Sequence, residues 1–332
     1  MIYKQRWFKW ILLSVIIAGA IFGSFSLYVT QIEERSVQSK LVETLLKVQN
    51  GKENFTDKEK VAEFLAEREV QNAKTYTLPA DLELQSTIKQ DTLNGMQVFI
   101  LSPTDTDSKK QILYLHGGAY INQPTNYHWK FLDKVVTGTN ATITVPIYPK
   151  APEHQYKESF DKVLPIYEDL LNVTESKNLV IMGDSAGGGL ALALSQVLLE
   201  NNIQQPSNII LLSPWLDITM KNPKIPSLED KDPMLGAYGL EQMGKAWAGD
   251  KDPNNYMLSP INGAIKGLGK ITLFVGTHEL FLVDAQRFRD MATGQGVAIN
   301  YFEYEKMNHV FPVYPIPEAK KATEQIVDII NK

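Results

Sequence analysis

The sequence predicts an α/β protein built on a mostly parallel sheet with helices on both faces. Three observations predict it. Short, largely apolar runs recur along the chain, stretches of helical length separate most of them, and 44% hydrophobic residues in 332 can fill one large core. One domain of about 250 residues with additions accounts for this length better than two equal domains.

The additions come first. "MIYKQRWFKW" carries Lys4, Arg6 and Lys9, and the stretch that follows holds no charge until Glu33. A bilayer-crossing helix needs roughly 20 apolar residues, whereas a secretory signal core has about 7–15. Residues 1–9 therefore read as a cytoplasmic basic leader and residues 10–30 as a transmembrane signal anchor. Trp7, Trp10 and Tyr28 fall near its two interfaces, and the rest of the chain lies on the extracellular side of the cell membrane. The small residues Ala18 to Ala20 also offer a signal-peptidase site, so secretion after cleavage is the alternative. A core helix is the third reading, but it would need no basic leader.

Residues 31–75 read as polar helices, with Leu41, Leu45, Leu46 and Val48 apolar, then Val61, Phe64 and Leu65. Thr56 followed by Glu59 fits a capping box. A stalk above the membrane and a helical cap over a catalytic domain both fit this segment.

The domain at residues 76–332 opens with a change of period. "LELQSTI" alternates apolar and polar positions, Asn94–Gly95 marks a turn, and "MQVFIL" resumes as a strand. Apolar runs follow at 112–115, 141–147, 178–182, 208–212, 271–275 and 299–304. Residues from about 215 to 262 are rich in Pro, Asp, Asn and Gly, and are too long for a simple connection. They read as an insertion over the rim of the sheet.

Composition excludes several functions. The net charge is −5, and the only adjacent basic pairs are Lys109–Lys110 and Lys320–Lys321, so nucleic acid is not an expected partner. There is no cysteine, which excludes disulfides, thiolate chemistry and zinc–sulfur sites.

Chemistry concentrates around "LVIMGDSAGGG". Gly183 to Gly187 fits G-x-S-x-G, a weak pattern alone, but an apolar run precedes it and a helical run follows. That strand–turn–helix setting is the one in which a serine hydroxyl projects from a sheet edge as a nucleophile. Small neighbours keep the strand and helix from crowding it. A plain helix start capped by Asp184 or Ser185 is the other reading. Upstream, "ILYLHGGAY" places Gly117 and Gly118 after a strand, where their N–H groups can hold an oxyanion together with that of Ala186.

Five histidines are candidates for the base. His116 belongs to the glycine turn, His128 to a helix start and His154 to a loop before the serine, while His278 directly precedes an acid. His309 follows the last apolar run, where the order serine, acid, histidine places the base. Glu279, three residues after Gly276, is the acid expected to orient it. Asp284 is the alternative, although its position suits a helix start. "HELFL" has Leu282 where a zinc-protease helix needs its second histidine, so no metal site is expected there.

Taken together, "HGGAY", "YPKAPEH", "GDSAGGG", "LSPWLD", "THELFLVD" and "MNHVF" resemble the hormone-sensitive-lipase-like family of α/β-hydrolases over about residues 76 to 332. The resemblance implies an eight-stranded sheet and a helical cap made from N-terminal residues and an insertion after the sixth strand. It implies hydrolysis of small carboxylic esters, usually with short acyl chains, without cofactor or metal. By motif it assigns Ser185 as nucleophile, His309 as base, Glu279 as acid, and Gly117, Gly118 and Ala186 as oxyanion donors. The acid position usually holds aspartate in that family and holds glutamate here. Two other functions fit such a chain: a peptidase or amidase on the same fold, and a membrane-tethered binding protein without catalysis.

Overall fold

A computed structural model describes residues 2–104 and 109–332. The side chains of the basic leader residues Lys4, Arg6 and Lys9 lie outside the described set. Helix α1 (Ile2–Leu27) opens the chain and passes through a short π-turn at Tyr28–Ile32. From Trp10 to Leu27 its apolar side chains are mostly exposed and none is buried in a core, which removes the core-helix reading. Helices α2 (Val37–Val48), α3 (Glu53–Thr56) and α4 (Lys58–Asn72) follow.

The eight strands are β1 (Thr87–Leu93), β2 (Met96–Ser102), β3 (Gln111–Leu115), β4 (Thr142–Pro146), β5 (Leu179–Asp184), β6 (Asn208–Leu212), β7 (Lys270–His278) and β8 (Asn300–Asn308). They form one sheet in the order β1-β2-β4-β3-β5-β6-β7-β8. Only the β1–β2 and β2–β4 pairs are antiparallel. The central strands are buried on both faces, which is why they read as continuous apolar runs without alternation.

Helices α5 (Asn126–Thr139), α6 (Tyr156–Val173), α7 (Ser185–Glu200), α8 (Ala237–Ala248), α9 (Leu282–Gly294) and α10 (Pro317–Asn331) complete the chain. Two apolar clusters, one on each face of the sheet, form the core. Helix α7 is buried nearly all round. Its glycines allow that depth: a Cβ on Gly187 would fall 2.0 Å from the Leu115 carbonyl oxygen, and one on Gly189 would fall 2.2 Å from that of Trp215.

Two local expectations shift. The strand expected from the alternation at 82–88 begins only at Thr87. Leu82 and Leu84 pack against the core without a ladder partner. The N–H groups of Gln85 and Ser86 donate to the Asp133 carboxylate, which satisfies them as a neighbouring strand would. The cap of α4 is Asp57, whose carboxylate accepts the N–H groups of Glu59 and Lys60. Thr56 ends α3, with its hydroxyl donating to the Lys52 carbonyl.

Residues 31–75 touch the domain at several points. The Ser36 N–H and hydroxyl donate to the Glu318 carboxylate on α10 at 2.7 and 2.8 Å. The Phe55 backbone lies against α8, so close that a Cβ on Gly239 would fall 2.4 Å from the Phe55 Cα. The Lys52 ammonium donates to the Asp232 carbonyl at 2.9 Å and also to that of Glu229. Helix α8 lies in the connection between β6 and β7, so N-terminal residues and the insertion meet.

Candidate active site

Sheet order explains why distant motifs meet. β3 and β5 are neighbours with Leu115 opposite Gly183, so the turn after β3 stands beside the turn after β5. β6, β7 and β8 follow in order, with His278 opposite Asn308. All these connections leave from the carboxyl ends of parallel strands, where α/β sheets place their sites.

Ser185 occupies the tip between β5 and α7 with φ +52°, a left-handed conformation that a non-glycine residue adopts at a cost. The glycines on either side permit the turn. A Cβ on Gly183 would fall 2.3 Å from the Gly187 carbonyl oxygen. Asp184 makes no side-chain cap to α7, so the plain helix-start reading does not describe this turn.

His309 follows β8, and its loop is held by two bonds. The Val310 N–H donates to the Ser213 hydroxyl at 3.0 Å, and the Asn308 side-chain amide donates to the His309 carbonyl at 3.0 Å. The imidazole Nε2 lies 2.9 Å from Ser185 Oγ, and Nδ1 lies 3.0 Å from Glu279 Oε2. Glu279 is fully buried just past β7, and its Oε1 accepts the Gly276 N–H at 3.3 Å. The structure therefore joins Ser185, His309 and Glu279 in one hydrogen-bonded chain.

Asp284 lies elsewhere, in the first turn of α9, where its carboxylate accepts from the Asn222 side chain at 2.8 Å. Burial lifts its pKa to about 6, with nearby Asp217 adding to the effect and the Asn222 bond opposing it. A carboxyl with a raised pKa in the folded state favours folding fully below the unfolded value near 4. That contribution fades as the pH rises through about 6. Asp284→Asn keeps an acceptor for Asn222, so it is expected to stabilise the fold at pH 8 by up to about 3 kcal/mol and to change little at pH 4. Thermal unfolding of both proteins at the two pH values measures this.

The remaining histidines have other surroundings. His116 is buried and stacked on Tyr148 with ring centroids 4.5 Å apart. Burial and nearby Lys150 lower its pKa to about 3, so it stays neutral. His154 Nδ1 pairs with Glu158 at 2.8 Å, and His278 Nδ1 lies 3.8 Å from Glu43. His128 reaches Asp184.

From the sequence Asp184 reads only as a possible helix cap. Its buried carboxylate accepts the Tyr114 hydroxyl at 2.5 Å and the Gly117 N–H at 2.8 Å, and meets His128 Nε2 at 3.2 Å. Burial opposes its ionisation, but His128 and these donors outweigh burial and hold its pKa below the usual carboxylate value. The Gly117 N–H, expected from the sequence to hold an oxyanion, donates to Asp184 in this structure. Among the described residues, the N–H groups of Gly118, Ala119 and Ala186 have no acceptor. Gly118, Ala119 and Tyr120 have successive φ values of +121°, +55° and +61°, a turn of the kind that gathers amides around an anion.

The insertion contributes a second anchor. Buried Asp232 accepts the N–H groups of Met234 and Leu235 and, at 3.0 Å, that of Leu280 beside Glu279. A row of aromatic rings runs from Trp247 on α8 through Tyr120 and Trp215 to Phe281, which stands edge-on to His309 at 5.0 Å. No group of three or more His, Asp or Glu side chains suited to a metal occurs among the described residues.

A family model for the alpha/beta hydrolase fold matches residues 112–313. An esterase of Acinetobacter venetianus is 32% identical over 221 residues, which cover 65% of this chain and 73% of that protein. The solved structure of a Staphylococcus aureus protein provisionally assigned as an esterase matches with a TM-score of 0.81 at 35% identity, covering 84% of this chain and 94% of that one. EstE5, in a crystal soaked with p-nitrophenyl butyrate, matches with a TM-score of 0.77 at 25% identity, covering 89% and 98%. Sheet order and sequence match together define an α/β-hydrolase. Within that class the chain belongs to the hormone-sensitive-lipase-like family, and it is a carboxylic ester hydrolase of the esterase/lipase type.

Proposed function

We propose that the protein cleaves short-chain carboxylic esters by a two-step route through an acyl-enzyme on Ser185. The reading rests on one observation above all, the continuous Glu279–His309–Ser185 hydrogen-bonded chain at 3.0 and 2.9 Å. His309 Nε2 takes the Ser185 proton as Oγ attacks the ester carbonyl, and Glu279 holds the ring with Nδ1 protonated. The N–H groups of Gly118, Ala119 and Ala186 receive the negative charge of the tetrahedral intermediate. His309 then returns the proton to the leaving alcohol. Water activated by the same ring releases the acid.

In this proposal the catalytic unit is residues 76–332, and residues 31–75 with 215–262 form the cap. Phe281 stands edge-on to the imidazole, backed by Trp215, and this bulk beside His309 supports a preference for acetyl and butyryl groups over long chains. Helix α1 is a signal anchor, and the catalytic unit stands on the outer side of the cell membrane. The uncharged segment Trp10–Ile32, long enough to cross a bilayer, supports this reading. Amino-terminal sequencing of the mature protein tests it, since cleavage near Ala20 would remove the anchor.

Hydrolysis of p-nitrophenyl acetate, butyrate and octanoate, with a peptide anilide alongside, tests the substrate class. The expected order favours the two short esters, with negligible release from the anilide. Glu279→Gln is expected to lower kcat at least 100-fold by removing the carboxylate that orients the ring, while Asp284→Asn leaves kcat within about twofold. The reverse pattern would transfer the acid role to Asp284.

A further inference from the structure

Helix α2 has apolar residues on two opposite faces. Val42 and Leu46 turn towards the core, together with buried Ser39 and Glu43. Leu41, Leu45 and Val48 form a stripe on the outward side and are 53%, 52% and 76% exposed. At 3.6 residues per turn the three fall within roughly 60° of arc, on the side away from the packed residues. No carboxylate interrupts that stripe. Among the described residues beyond α2 and the N-terminal apolar segment, the exposed large apolar side chains are single ones, such as Val70 and Val173.

The stripe cannot move far from the end of α1. The Glu33 N–H donates to the Tyr28 carbonyl at 3.1 Å and the Arg35 N–H to that of Val29 at 3.4 Å around Glu34 at φ +53°, a capping turn that ends the helix and fixes how the chain leaves it. Arg35 is buried, pairs with Glu33 and Glu43, and donates to the Lys306 carbonyl at 3.1 Å. The Lys306 ammonium in turn donates to the Glu33 carbonyl at 2.9 Å. These contacts tie α2 to the end of the apolar segment and to the β7–β8 edge that carries Glu279 and His309.

We propose that Leu41, Leu45 and Val48 lie in the interfacial layer of the membrane that α1 spans, an inference that rests on reading α1 as a retained anchor. Helices with this pattern lie in the plane of the interface with their apolar side sunk by roughly 5–10 Å. Three side chains fall far short of the roughly 800 Å² per partner that a stable protein interface needs, whereas beside a spanning helix they need only add to an existing attachment. The catalytic edge is then held at a fixed attitude above the lipid surface.

The chain has no cysteine, so single thiols can be introduced without background. Leu45→Cys, Ile17→Cys in the apolar segment and Val173→Cys on α6 would each be made in the full chain. Each variant would be reconstituted in phosphatidylcholine–phosphatidylglycerol vesicles and treated with a water-soluble maleimide. Positions 17 and 45 are expected to react at least tenfold more slowly than position 173. Protection at 17 with reaction at 45 as fast as at 173 would overturn the proposal and leave the anchor standing. Equal reaction at all three would remove the anchor and the proposal with it. Protection at 45 that persists in dilute detergent, with a dimer present, would assign the stripe to a second copy and overturn the lipid assignment. Turnover of p-nitrophenyl butyrate, expected to be unchanged in all three variants, separates each of these outcomes from a failure of ester hydrolysis itself.

Discussion

Ser185→Ala lowers ester turnover by about 10⁴-fold or more while leaving the unfolding transition in place. The loss is large because no other group near His309 Nε2 carries a hydroxyl at 2.9 Å, so the covalent route is closed outright. The fold survives because the hydroxyl makes no other hydrogen bond, and alanine preserves the turn apart from the strain already present at φ +52°. His309→Ala falls to the same level. The double variant is no worse than either single one, because the two groups act as a unit. Steady-state rates on p-nitrophenyl butyrate for the four proteins, with thermal unfolding as the control for folding, measure the prediction. A loss under tenfold in Ser185→Ala would contradict it.

Asp184→Asn is expected to damage both stability and turnover. The Thr125 N–H donates to His128 Nδ1, which leaves Nε2 carrying the proton that points at Asp184. An asparagine can keep its oxygen towards Tyr114 and Gly117, but its amide then turns N–H towards N–H at His128. One buried donor is left without an acceptor and a compensated charge is lost, for a cost of about 3 kcal/mol. The Gly117 N–H hangs on this carboxylate at 2.8 Å, so the turn carrying Gly118 and Ala119 loosens with it. A drop in kcat of about 10²-fold is expected, the size seen when one oxyanion donor is misplaced. Urea denaturation and kcat on the same preparation test both parts. Stability within about 0.5 kcal/mol of the parent, with an equal kcat, would contradict the role given to Asp184.

Much of this architecture is legible in the sequence because parallel strands buried on both faces must be apolar from end to end. Runs such as "ILYL" and "NIILL" have no other economical reading at their length. Ser185, Glu279 and His309 each stand just beyond such a run, and strand ends are where a parallel sheet gathers side chains. The pairing of Gly117 with Asp184 is not legible in this way. It depends on Leu115 facing Gly183 across β3 and β5, a register that no local pattern announces. Alternation at 82–88 predicts a strand because half-buried leucines every second residue look the same whether a ladder or the Asp133 carboxylate satisfies the backbone. Thr56 lost the cap to Asp57 because aspartate one residue later meets two free N–H groups while Thr56 is still helical. The outward stripe of α2 was visible as Leu41, Leu45 and Val48, but only the packing of Val42 and Leu46 shows which side faces out.

The covalent intermediate is the centre of the account, and trapping it tests that most directly. Diethyl p-nitrophenyl phosphate would be added to the full chain, and the modified peptide located by mass spectrometry. The expected result is one diethylphosphoryl group per chain on Ser185, complete loss of esterase activity, and no labelling of Ser185→Ala. Undiminished ester hydrolysis with Ser185 unmodified, or inactivation through a label on a different residue, would contradict it.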